Sequence, residues 1–181
     1  MNDEDCIEAS RRWVQTVVVG LDLCPFAKYE LEHNRLRFVV SRASCENELL
    51  VSMNDELQRL ERDKEIETTL IIHPDVLSDF LDYNQFLDRA DQLLEATELA
   101  GEYQVASFHP DYQYADTQPD EPGNYRNRSP FPMLHLLRED SVERVIDSRS
   151  DIHEIPERNI ARMNELGTDA LRRLLSDCLT P

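Results

Sequence analysis

With 181 residues, of which 40% are hydrophobic and 31% charged, the chain has the apolar content of one folded core, which excludes a disordered chain and argues against two full domains. Its formal net charge of −18 repels nucleic acid and anionic membrane surfaces, and its longest apolar runs, such as Val17 to Val19 and Leu70 to Ile72, are far too short to span a bilayer. Met1 to Glu8 is acidic and lacks the layout of a secretory signal, while Cys6, Cys24, Cys45 and Cys178 form no Cys-x-x-Cys pair, so a cytoplasmic protein with reduced thiols is expected.

Ile7, Trp13, Val14, Val17, Val18 and Leu21 recur at helical spacing and predict a first helix, with Gly20 placed as its stop. After a turn at Cys24 and Pro25, Arg35 to Val40 alternates as a strand with one wet face. Leu49, Leu50, Met53, Leu57 and Leu60 mark an amphipathic helix. Thr68 to Ile72 is apolar on both faces and predicts a central strand. Phe80 to Thr97 carries a long helix with Gly101 as its C-cap, and Tyr103 to Phe108 a third strand. Residues 110–132 hold five prolines and no periodicity, which predicts a long ordered loop. The remainder reads as helical: Met133 to Arg138, Ser141 to Ile146, a helix opened by Pro156 and a last helix after Gly167.

The β-α-β-α-β order implies parallel pairing with right-handed crossovers. The expected fold is therefore a three-layer α/β single domain over residues 1–181. A small, mainly parallel sheet is flanked by helices, and a helical C-terminal part (133–181) packs on the same core. Both crossover helices lie on one face, and the first and last helices cover the other.

His-Pro-Asp occurs twice, as His73-Pro74-Asp75 and His109-Pro110-Asp111, each at the end of a predicted strand that proline terminates. In a parallel sheet these ends share one edge, the usual site of ligand crevices, and neighbouring strands lie about 4.8 Å apart. Imidazoles gathered with carboxylates there would suit a divalent metal or acid/base work. The plainer alternative is a strand terminator whose aspartate starts the next turn or caps a helix.

In Leu23-Cys24-Pro25-Phe26-Ala27-Lys28, a helix begun at Pro25 puts Cys24 at its N-cap, where the dipole favours a thiolate. Alternatively Cys24 is a small residue packed on Phe26 at a turn. Between Asn124 and Glu139, Arg126, Arg128 and Arg138 form a basic island in an acidic chain, with Pro132 opening a helix that brings His135 and Arg138 to nearby faces. Such an island suits bidentate capture of a carboxylate or phosphate, or else pins the loop to the body. Four glycines, none in a phosphate-cradling run, leave a P-loop or dinucleotide fingerprint unsupported, and no Gly-x-Ser-x-Gly elbow is present.

At these segments the chain resembles a bacterial family known as domain of unknown function 1415. The resemblance rests on Gly20-Leu21-Asp22-Leu23-Cys24-Pro25-Phe26-Ala27-Lys28, on Phe108-His109-Pro110-Asp111-Tyr112 and on the run from Asn127 to Glu139. It spans most of the chain and implies no reaction, ligand or catalytic residues.

The residues themselves suggest a small enzyme, a hydrolase in the simplest case, acting on an anionic small molecule at the carboxyl edge of the sheet. His109, Asp111 and His135 would supply acid/base or metal-ligand groups, with Cys24 as nucleophile. Arg128, Ser129, Arg138, Asn127, His73 and Lys28 would hold the ligand. The alternative is a non-catalytic module that binds an anionic ligand or partner protein through the arginine-rich loop.

Overall fold

The first helix, α1 (Asp3–Trp13), opens on a capping box in which the Asn2 side chain accepts the Asp5 N–H while the Asp5 carboxylate accepts that of Asn2. The structure, a computed structural model, describes residues 1–148 and 152–180. Beyond Trp13 the chain widens into a π-helical turn, Val14–Val19, closed by the Gly20 N–H donating to the Gln15 carbonyl at 2.9 Å. Glycine is required at position 20 because a Cβ there would lie 2.3 Å from the Thr16 carbonyl oxygen. The turn buries Val14, Val17 and Val18 and delivers the chain to Cys24, the N-cap of α2 (Pro25–Glu32).

Strand β1 (Leu36–Val40), α3 (Glu46–Arg62), β2 (Thr68–Ile72), α4 (Phe80–Ala96) and β3 (Tyr103–Phe108) follow as the periodicity predicts. Helix α4 ends at Ala96 with Thr97 as its C-cap, so the expected cap at Gly101 is not formed. The left-handed residue is Glu98 (φ 59°), and Gly101 (φ 87°) serves the turn into β3 instead of capping the helix.

Residues Met133–Arg138 are not helical; they form a fourth strand, β4. The sheet order is β1-β2-β4-β3, with β1 and β2 parallel and β4 antiparallel to both neighbours, so the sheet is mixed and not mainly parallel. The cause is the 110–132 loop, which returns the chain to the carboxyl edge and lets β4 descend between β2 and β3. Met133 to Leu136 are buried on both faces, as an interior strand demands. The C-terminal part from residue 139 is helical: α5 (Glu139–Ser148), α6 (Ile155–Leu166) and α7 (Thr168–Leu179).

The expected layering holds. Helices α3 and α4 bury Leu49, Met53, Leu57, Tyr83 and Phe86 against Ile71, Leu134 and Leu136. On the other face α1, the π turn, α6 and α7 bury Trp13, Val17, Met163 and Leu171 against Phe38, Leu70 and Met133. No helix among the described residues is long and apolar enough to cross a membrane.

Candidate functional site

His73 and His109 end strands of the same direction, but β4 lies between them. Tyr83 of α4 bridges the gap, its ring 5.8 Å from the His73 ring and 5.0 Å from the His109 ring. Its hydroxyl donates to the Met133 carbonyl at 2.7 Å and accepts the Phe108 N–H at 3.0 Å.

Both imidazoles serve the turn after β2. His73 Nδ1 donates to the Val76 carbonyl and His109 Nε2 to the Leu77 carbonyl, each at 3.1 Å, and Leu77 is held at a left-handed φ of 58°. His109 Nδ1 accepts the Asp111 N–H at 3.0 Å, which leaves this ring without a free nitrogen. His73 Nε2 is buried and has no partner among the described residues. Burial lowers His73 to about 4 and lowers His109 as well, so both are neutral near pH 7. The Asp111 side chain points to solvent.

The polar residues around the loop are mostly occupied in holding it. The Asn127 carbonyl accepts the His109 N–H at 3.2 Å, and its side-chain amide donates to the Ser107 carbonyl at 3.0 Å. Ser129, fully buried, donates to the Phe131 carbonyl at 2.6 Å. Arg128 donates to the carbonyls of Tyr112 and Pro119 at 3.2 and 2.6 Å and lies 4.6 Å over the Tyr125 ring. Arg126 lies 4.3 Å over the Tyr114 ring. Arg138 sits at the opposite end of β4 from the loop, bonded to the Tyr103 hydroxyl and the Leu60 carbonyl. Arg128 and Arg138 therefore do not share a ligand, and Lys28 is exposed on α2.

His135 lies opposite Leu70 and Ala106 and faces the α1 side of the sheet, whereas His109 faces the α4 side. The expected grouping of His109, Asp111 and His135 does not occur, because a strand alternates its side chains and a helix does not. His135 instead lies on the same side of the sheet as Cys24. Both line an interior cavity of about 50 Å³ under the π turn, walled by Trp13, Val18, Phe26, Leu70 and Phe108.

Thr68 fixes the imidazole in this cavity. Its hydroxyl donates to the Leu136 carbonyl at 2.6 Å, so its single proton is used and it must accept from His135 Nε2, also at 2.6 Å. The neutral ring then carries its lone pair on Nδ1, which bonds to no protein group among the described residues. Burial lowers His135 to about 3. The Cys24 thiol is raised by burial, against the N–H groups of Ala27 and Phe26, which pull it down. Both groups are accordingly neutral at rest. Glu30 also lines the cavity, but its carboxylate is held by Arg35 at 2.8 and 3.0 Å.

Thr68, Trp13 and Tyr83 escape a search for reactive side chains. Their only sequence signal is a polar atom on an element that reads as buried. Among the described residues no three His, Cys, Asp or Glu side chains gather as a metal set, so the expected histidine-carboxylate cluster is not formed.

The cavity draws side chains from all three segments of the family resemblance: Cys24 and Phe26 from the first, Phe108 from the second and His135 from the third. No curated protein and no solved structure matches the chain. A family model described as "Protein of unknown function (DUF1415)" matches residues 5–173, and the chain belongs to that family.

Proposed function

We propose that the protein is a small cytoplasmic enzyme, a thiol hydrolase, with Cys24 as nucleophile and His135 as its base. The observation that carries this reading is the shared cavity, in which Thr68 leaves the His135 lone pair on Nδ1 and the first turn of α2 directs N–H groups at the Cys24 sulfur. The thiol proton passes to Nδ1 as sulfur bonds to a substrate carbonyl carbon. The bond to the leaving group then breaks, and that group takes the proton from Nδ1; water reverses the sequence to release the acid. The N–H groups of Phe26 and Ala27 are suited to stabilise the oxyanion. Neutral resting groups mean that the ion pair forms only with substrate in place.

Incubation with p-nitrophenyl acetate tests this. The expected result is a burst of one nitrophenolate per chain with an acetyl group on the Cys24 peptide. The burst is abolished by Cys24→Ser and slowed about 100-fold by His135→Gln. Acetylation confined to the exposed Cys45, or no burst, overturns it.

A second reading, a module that grips an anion through its loop, is favoured by one observation: among the described residues neither Arg126 nor Arg128 has a carboxylate partner, although the chain is strongly acidic. On that reading an anion such as phosphate binds equally well to Cys24→Ser and is lost in Arg128→Ala.

A further inference from the structure

Immediately outside Cys24 lies a surface groove of about 260 Å³, formed where the start of α2 meets α5 and α6 and walled by Leu23, Val142, Val145, Ile146, Ile155 and Pro156. Cys24 and Phe26 line both this groove and the interior cavity, so they form the partition between the two. None of the groove's described lining residues is charged, in a chain of net charge −18, and Ile146 stands 42% exposed in it.

From this continuity we infer that the substrate of Cys24 is an ester or thioester of a short apolar acyl chain. The chain lies along the groove and presents its carbonyl to the thiol at the partition. This rests on the proposed role of Cys24. The groove's size limits how much chain it can bury: it is smaller than the roughly 300 Å³ at which drug-sized sites begin, which suits a short chain. Apolar walls without a cation also disfavour a free carboxylate, whose charge would lose its hydration there. Each methylene buried favours binding by about fourfold.

The test is the rate of Cys24 acylation by p-nitrophenyl acetate, butyrate, hexanoate and dodecanoate, each divided by its rate with free cysteine. The ratio is expected to rise at least tenfold from acetate to hexanoate and to fall again at dodecanoate. Ile146→Asp, which puts a charge in the groove, and Ile146→Trp, which fills it, should both abolish the rise, read in each variant as the hexanoate rate over its own acetate rate. Position 146 is exposed, so neither variant disturbs the core. A flat ratio across chain lengths, or a rise that survives both variants, overturns the inference. Failure of Cys24 to react with acetate overturns the underlying reading instead, and the two failures are read from different rates.

Discussion

Thr68 accepts the Nε2 proton of His135 at 2.6 Å, and this one contact decides which nitrogen of the ring keeps the lone pair in the cavity shared with Cys24. Thr68→Val should leave that N–H buried without a partner. The expected cost is about 1–3 kcal/mol in urea unfolding. Cys24 acylation should slow in parallel, because the ring is no longer held in one tautomer; an unchanged acylation rate would mean that Thr68 has only a structural part.

Acid should unfold the protein before its carboxylates titrate. Folded His73 and His135, lowered to about 4 and about 3, bind protons less readily than the unfolded chain, where histidine titrates near 6.5. Their contribution is complete above pH 6.5 and is lost as pH falls from there toward 4 for His73 and toward 3 for His135, and each is worth on the order of 3 kcal/mol. Urea midpoints at constant ionic strength should decline between pH 7 and 5, and His73→Gln should flatten that decline despite a lower midpoint at pH 7.

Tyr83→Phe removes the hydroxyl that joins the Met133 carbonyl to the Phe108 N–H. Two buried backbone groups then lack a partner, at a cost of about 1–3 kcal/mol. The ring remains between His73 and His109, so the loss should appear in stability and in faster amide exchange at Phe108, with no change in Cys24 acylation.

Arg128→Ala should loosen the loop while sparing the proposed chemistry. Bonds from a charged donor to the carbonyls of Tyr112 and Pro119 are worth about 1.5–3 kcal/mol each at most, and the packing over Tyr125 is lost with them. Limited proteolysis should cut within residues 110–126 sooner than in the unsubstituted protein. Loss of phosphate binding in the same variant would favour the anion-binding alternative.

Most elements were legible because their periods are clean: Thr68–Ile72 and Tyr103–Phe108 could be placed to the residue. Met133–Arg138 was not, since an apolar run buried on both faces shows neither period, and Pro132 imitates a helix start. That one element decided the rest. As a strand it separates His73 from His109 and turns His135 to the opposite face, so a site at the carboxyl edge becomes one on the α1 face. Cys24 was legible as an N-cap because Pro25 marks the first turn of α2. Its sharing of a cavity with His135 depends on the register that sets Leu70 opposite His135, which no local pattern records. The partners of Arg128 were equally hidden, because backbone carbonyls have no sequence signature.

The strand that completes the middle of the sheet is the last of the four to leave the ribosome. Until residues 133–138 emerge, β2 and β3 each present an open edge to the same gap, a template for pairing with other chains. Nascent chains arrested before residue 133 are therefore expected to aggregate or to recruit chaperones, whereas the finished chain closes its own sheet from within.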